Sequence, residues 1–133
     1  MNLTVLSPTT KHIYEDVKGV VIESEAGIIE VLPEHQKLIS ALSIGVARVK
    51  MGDKTEILVI NGGVLKVEKD ELEIITSNAV PPRDIIEKDI EKALLLAQNK
   101  ITPTTLPTEL IRIEKEIKYQ KLKQRTREQL GNG

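Results

Sequence analysis

Two kinds of hydrophobic periodicity divide the chain. From the start to about Ser77, short apolar or alternating stretches rich in β-branched residues are separated by turn-forming residues, which is typical of β-strands. The pattern predicts strands at 3–7, 17–24, 28–32, 38–43, 45–51, 55–61, 63–68 and 71–76. Gly52-Asp53 and Lys69-Asp70 are expected to turn two hairpins. These features favour a β-sandwich of about eight to ten short strands, or a small barrel.

The stretch "VPPRD" (80–84) marks the boundary, because two prolines disfavour both sheet and helix. Apolar residues then recur at steps of three and four, which predicts one face of a helix. The residues of this face are Ile86, Ile90, Ala93, Leu94, Ala97 and Ile101. We therefore predict an N-terminal β domain at 1–84 and a helical domain at 85–133.

Pro103 and Pro107 interrupt the helical pattern, and a second helix is expected to follow with Thr108 as its cap. Leu110, Ile113 and Ile117 lie on one face of that helix. The C-terminal domain is thus predicted to be an antiparallel α-helical hairpin. Such a short, polar hairpin should be marginally stable alone and should need a surface to lie on, so a modest ligand or partner could move it.

The second helix becomes basic past Ile117. Five cations come without one acid until Glu128: Lys118, Lys121, Lys123, Arg125 and Arg127. One interpretation is a solvated helix end, where cations are favourable. The other is a docking surface for an acidic partner; nucleic acid is the weaker third interpretation, because the first half of the chain is acidic.

Overall composition excludes several classes of protein. The 133 residues carry 19 basic and 20 acidic side chains and no cysteine, so disulfides and thiolate metal sites are excluded. Charge is divided unevenly: residues 1–84 hold 9 basic and 13 acidic residues, a net of −4, and the remainder holds 10 and 7, a net of +3. No apolar run is long enough to span a bilayer, so we predict a soluble chain without direct membrane insertion or nucleic-acid binding.

Glu34 and His35, within "LPEHQKLISAL" (32–42), are the first candidates for catalysis or metal binding. The only other histidine is His12, so a His-rich metal site cannot be assembled. Adjacent residues on a strand or turn also point in different directions. The alternative is a turn between two strands.

Two further motifs have competing interpretations. Asn61-Gly62-Gly63 lacks the lysine and the glycine spacing of a phosphate loop, which favours a bulge or bend between strands. Asp89 and Lys92 share a helix face, where they could pair with each other or hold a ligand.

The order of these features resembles the epsilon subunit of F-type ATP synthase. The resemblance covers essentially the whole chain: "LTVLSPTTKHIYEDVKGVVIES" at the start, "VLPEHQKLISALSIG" (31–45), "NGG" (61–63) and the two-helix tail. It implies a non-catalytic rotor subunit whose sandwich binds the gamma subunit and the ring of c subunits. The basic helix of an extended hairpin would meet acidic segments of the alpha and beta subunits and inhibit ATP hydrolysis.

The resemblance also implies roles for particular residues. Glu34 and His35 become partner contacts near gamma and the c-ring, and the basic residues of the second helix become contacts of the extended hairpin. Some members bind regulatory ATP through a motif that "KDIEKA" (88–93) matches at Asp89 and Ala93, with Lys92 in place of arginine. Lysine loses the planar two-pronged donor of arginine, which weakens such a site. Glu34 stands where glycine is usual, and Ile28 and Glu30 replace the familiar residues, which affects the c-ring contact.

The resemblance predicts a peripheral location on the cytoplasmic face of a bacterial inner membrane or on the stromal face of a plastid thylakoid. Two alternatives stay open at this point. One is a free-standing β-sandwich adapter whose basic hairpin docks on an unrelated acidic protein. The other is a metal-dependent enzyme that uses His35.

Overall fold

The computed structural model describes residues 1–130, so residues 131–133 of the predicted 85–133 domain lie outside the described residues. The chain divides into two compact units. Their boundary along the chain lies between Pro81 and Pro82, within the "VPPRD" stretch. The first unit contains the strands and the second contains the helices. No helix among residues 1–130 combines the length and the apolar character needed to span a membrane.

The first unit is a mixed β-sandwich, as the sequence predicts. Its strands pair in the order β2-β1-β7-β6-β5-β3-β4, with β8 paired to β6. β1 and β7 are parallel, and the other pairs are antiparallel. The strands are β1 (Asn2–Leu6), β2 (Lys11–Tyr14), β3 (Gly19–Ser24), β4 (Gly27–Val31), β5 (Leu38–Met51), β6 (Lys54–Glu68), β7 (Glu71–Ile75) and β8 (Ala79–Val80).

β5 and β6 differ from the prediction. Stretches 38–43 and 45–51 form one strand, and 55–61 and 63–68 form another. The pairing of the two strands is interrupted between Leu42↔Gly63 and Ile44↔Asn61, and Gly62 and Gly63 both have positive φ, at 68° and 121°. The expected bend is therefore present, but it lies inside continuous strands and lets β5 and β6 run through both halves of the sheet.

The core of this unit is aliphatic and comes from residues of the unit itself. Leu3, Val5 and Ile74 from one half of the sheet join Val20 and Ala47 from the other half in one buried cluster. Alternation of inward apolar and outward polar residues explains this arrangement. The core is continuous without any residue of the helices.

The predicted hairpin turns are confirmed. Turns lie at Gly52-Asp53 and at Lys69-Asp70, and Gly52 and Lys69 take the left-handed φ values of 59° and 57°. β2 and β8 are not in the predicted set. β2 is a short edge strand in which exposed Lys11 and Ile13 alternate with half-buried His12 and Tyr14, and β8 has only two residues.

The second unit contains a 3₁₀ turn at Pro82–Asp84 and the helices α1 (Glu87–Asn99) and α2 (Pro107–Leu130), which pack as the predicted helical pair. Ile90 and Ala97 of the predicted α1 face are buried. Ile86 and Ile101 are exposed, and both lie outside α1, which begins after the first and ends before the second.

The predicted cap of α2 is wrong. α2 begins at Pro107, so Thr108 lies inside its first turn. The carbonyl of Leu106 accepts the first helical hydrogen bond, from the amide of Leu110 at 2.9 Å. Proline fits the first helical position because its missing N–H has no helical partner there.

Candidate functional site

Glu34 and His35 lie in the turn between β4 and β5. The amide of His35 donates to the carbonyl of Leu32 at 3.1 Å, and His35 Nδ1 lies 2.8 Å from the carbonyl oxygen of Gln36. Glu34 is exposed with a φ of 68°, which explains why glycine would suit this position. The amide of Glu34 lies 3.4 Å from Asp70 Oδ1, which places this turn beside the β6–β7 turn.

The surroundings of His35 contain no group of metal ligands within the described residues. Across residues 1–130, no three His, Asp or Glu side chains lie close enough together to hold a metal ion. The imidazole is occupied by a local backbone contact, so the arrangement is that of a structured turn.

An apolar row crosses the outer face of the sheet, and sequence reasoning missed it. Leu6 of β1 pairs with Ile75 of β7, Ile75 with Val64 of β6, and Val64 with Ala41 of β5. These four residues, named here the apolar row, are half-buried or exposed, with Ile75 51% and Val64 42% exposed. Contiguous exposed apolar side chains of this kind mark interaction surfaces.

The next row on the same face extends the apolar surface at its two ends. Ile13, Thr4, Glu73, Lys66 and Ile39 follow one another across five strands. Ile13 is 58% and Ile39 67% exposed, while the cross-strand Glu73 and Lys66 make the centre polar. The signal in the sequence was present: β7 and β6 place apolar residues on both faces of the strand, as in "EIIT" and "GVLKV".

The five predicted cations of α2 do not form one surface. Lys118, Lys121 and Arg125, the outer cations, are exposed at helical steps of three and four and thus share a face. None of the three has an ion pair within the part of the chain that the structure describes. Their charge is available to a partner.

Lys123 and Arg127 lie on another face of α2, four residues apart. The ammonium of Lys123 sits 5.0 Å from the ring centre of the buried Tyr119, a cation–π geometry. Arg127 Nη1 pairs with Glu87 Oε2 at 3.4 Å, and its Nε donates to the carbonyl of Ile85 at 3.2 Å. These two cations therefore serve contacts inside the helical unit.

Burial shifts the pKa of both residues of the cation–π pair. Burial raises the pKa of Tyr119 well above its usual range, and the Glu116 carboxylate adds to the rise. Burial lowers the pKa of Lys123, against the attraction of Glu116 and Asp89. Buried residues on α2 also continue past Ile117, at Tyr119, Gln120 and Thr126, so this half of the helix is a packing element and more than a solvated basic end.

The residues of the expected nucleotide motif are only partly brought together. Asp89 and Lys92 are exposed on α1, and they form no direct ion pair within residues 1–130. Ala93 lines a groove of about 360 Å³ between the two helices. The other lining residues include the cations Lys100 and Arg112 and the acid Glu116.

Comparison with known proteins begins with the β unit. Residues 1–82 match the family model described as "ATP synthase, Delta/Epsilon chain, beta-sandwich domain". The chain is 34% identical over 103 residues to the ATP synthase epsilon chain of Prochlorococcus marinus, covering 77% of this chain and 76% of that one. It is 34% identical over 93 residues to the chloroplastic epsilon chain of Pinus koraiensis, covering 70% of this chain and 66% of that one.

Solved structures share the fold. A chain of the Euglena gracilis mitochondrial ATP synthase, from a structure of its OSCP/F1/c-ring assembly, matches with a TM-score of 0.72 at 24% identity, over 93% of this chain and 79% of that one. A chain from the central stalk/c-ring of the Tetrahymena thermophila mitochondrial enzyme matches with a TM-score of 0.70 at 10% identity, over 96% of both chains.

At these identities the structures establish the architecture, and the sequence matches establish the kinship. The family model covers the whole β unit. The chain therefore belongs to the epsilon chain family of ATP synthase, as the motifs of its sequence indicate.

Proposed function

We propose that this chain is a non-catalytic subunit of the rotor of an F-type ATP synthase. In this proposal the β unit holds the gamma subunit and rests on the c-ring, and the helical hairpin regulates ATP hydrolysis. The enzyme would carry the subunit peripherally, on the cytoplasmic face of a bacterial membrane or the stromal face of a thylakoid, in keeping with bacterial and chloroplastic relatives.

The observation that carries the proposal is the apolar row on a unit with its own core. The buried cluster of the β unit includes residues from Leu3 to Ala79 and none from the helices, so the unit can hold a partner whatever the hairpin does. The apolar row and the flanking Ile13 and Ile39 offer a surface of the mixed apolar and polar kind found at protein interfaces. Gamma is the partner proposed for it.

Glu34 and His35 are proposed as contacts at the border of this surface. Their turn leads directly into β5, where exposed Ile39 lies on the outer face. Leu32 in the same turn is 50% exposed. The turn can thus contribute polar contacts at the rim of an interface whose centre is apolar.

Replacing Val64 with aspartate is expected to weaken gamma binding by about tenfold or more, because the carboxylate would be desolvated against an apolar partner. The side chain points outward, so the fold should persist, which circular dichroism checks. Titration calorimetry with purified gamma measures the affinity.

Ile28→Asp is the matched control, since Ile28 is 74% exposed on β4 at the far end of the sheet from β1, β2 and β7. It should leave gamma affinity unchanged. Equal losses in the two variants, or no loss in either, would contradict the assignment of the apolar row.

The hairpin is proposed to change its position. The exposed apolar and basic residues on its surface support this proposal. Leu95, Leu96, Leu106 and Ile111 are each more than half exposed, so the hairpin carries apolar surface that another protein can cover. The outer cations add charge that suits acidic segments of the alpha and beta subunits. Docking of the extended hairpin there would inhibit hydrolysis.

A regulatory ATP is a separate part of the proposal. The groove beside Ala93 is large enough for part of a nucleotide and has Lys100 and Arg112 among its lining residues, but Glu116 also lines it and would repel phosphates. Asp89 and Lys92 do not line the groove. The residues therefore fit ATP only weakly.

Lys92→Arg is expected to tighten ATP binding several-fold if the motif operates, because the guanidinium restores a two-pronged donor. Isothermal titration calorimetry of the isolated chain with ATP measures this affinity. Lys115→Arg, at an exposed lysine of α2 outside the motif, is the control. A wild-type chain and a Lys92→Arg variant that both fail to bind ATP would remove nucleotide from the mechanism.

A further inference from the structure

The polar contacts between the helices gather around one residue of α1. Glu87, the first residue of α1, accepts a hydrogen bond from Gln124 Nε2 at 2.8 Å through Oε1 and pairs with Arg127 Nη1 at 3.4 Å through Oε2. Arg127 also donates to the carbonyl of Ile85. Glu87, Gln124 and Arg127, the Glu87 cluster, therefore connect the C-terminal part of α2 to the start of α1.

The charges of this cluster are better shielded from solvent than those of a fully exposed surface ion pair. The side chains of Arg127 and Glu87 are 42% and 32% exposed, so the charges are partly shielded from solvent and from salt. Both carboxylate oxygens have a donor, and hydrogen bonds to charged groups are stronger than neutral ones. The opposite end of the hairpin has instead an open groove beside Ala93 and Ala97.

The cluster occupies a cation that the proposed inhibitory docking would use. Arg127 belongs to the basic segment of α2, yet its guanidinium is paired with Glu87. Lys123 is likewise held over Tyr119 and attracted by Asp89 and Glu116. An acidic segment of another protein would have to displace the α1 carboxylate before it could pair with Arg127.

We infer that Glu87 restrains the inhibitory docking of α2. Its carboxylate competes with the acidic partner for Arg127 and holds the hairpin closed, that is, with the C-terminal part of α2 packed against the start of α1. This inference rests on the proposed function, in which the basic helix docks on acidic segments. A partner that binds only the open hairpin binds more weakly in proportion to the closed fraction. Removing the charge of Glu87 should therefore strengthen inhibition while every cation of α2 remains.

The first test uses the isolated full chain and measures amide hydrogen exchange in α2. Glu87→Gln and Arg127→Gln should each speed exchange in the C-terminal part of α2 by about tenfold. The effect of the double variant should be smaller than the sum of the two single effects, because both variants remove the shared Glu87–Arg127 pair. Glu91→Gln is the matched control: Glu91 is exposed on α1, has no partner in residues 1–130, and should change nothing.

Additive effects in the double variant, or an equal effect of Glu91→Gln, would overturn the inference. Circular dichroism of each variant checks that the helices are still formed. A Glu87→Gln variant that lost its helices would be replaced by Glu87→Asp, which keeps the charge but shortens the side chain and should give a smaller increase.

The second test measures ATP hydrolysis by the assembled enzyme. Glu87→Gln should inhibit several-fold more strongly than the wild-type chain, and Glu91→Gln should match wild type. If the exchange cycle shows coupling but Glu87→Gln inhibits no more than wild type, the competitor role is overturned. If no form of the chain inhibits, the proposed regulatory function fails, and the exchange cycle still decides whether the Glu87 cluster holds the hairpin closed.

Discussion

Replacing Gly63 with alanine is expected to destabilise the β unit by about 3 kcal/mol or more. Gly63 has a φ of 121°, a conformation that L side chains rarely adopt, and a Cβ there would overlap the carbonyl oxygen of Ile75 and lie 2.9 Å from the Cα of Thr76. Both obstacles are backbone atoms, so neither can move without disturbing β7. Urea unfolding followed by circular dichroism measures the loss.

Gly52→Ala is the control for this prediction. Gly52 also has a positive φ, at 59°, but a Cβ there would meet nothing within 4 Å. The alanine at this position should lower the free energy of unfolding only through the strain of the left-handed conformation, by about 1 kcal/mol. Equal destabilisation of the two variants would show that the close approach of Gly63 to β7 does not matter.

Ending the chain after Pro81 is expected to preserve gamma binding and to raise ATP hydrolysis by the assembled enzyme several-fold. The β unit keeps its complete core and the apolar row, while the hairpin with its outer cations is lost. Affinity for purified gamma and the rate of ATP hydrolysis are the two measurements. Loss of gamma binding, with hydrolysis unchanged, would contradict the proposed division of roles.

A charge variant separates the role of the hairpin from the effects of truncation. Lys118→Glu with Lys121→Glu removes two outer cations and should relieve inhibition as truncation does, because acidic partners would then be repelled. Lys88→Glu with Lys100→Glu makes the same charge change at exposed positions of α1 and its C-terminal end, away from the face of the outer cations, and should leave most of the inhibition. Equal relief by the two pairs would indicate a general effect of net charge.

The β-sandwich and its main turns could be predicted because they depend on local patterns. Alternating apolar residues and the Gly52-Asp53 and Lys69-Asp70 turns appear in the sequence in the form in which they act in the fold. β6 was divided in the prediction because Gly62-Gly63 is also a turn signal. Cross-strand pairing carries β5 and β6 through this bend, and pairing is not visible in one sequence.

The interaction surfaces were harder to predict because they depend on which residues share a face. Counting cations grouped Lys118 and Arg127 together, although their helical spacing places them on different faces. The apolar row needs the order of strands β1, β7, β6 and β5, and that order is set by long-range pairing. The contacts of Glu87 could not be predicted either, because they form only when the C-terminal part of α2 packs beside the start of α1.

The measurement that tests the account most directly is amide hydrogen exchange across the full chain, free and in the assembled enzyme. We expect α1 and α2 to exchange much faster than the centres of β5 and β6 in the free chain, and their protection to change on assembly while that of β5 and β6 persists. Helices as strongly protected as the centre of the sheet, and unaltered by assembly, would contradict a movable hairpin on a stable β unit.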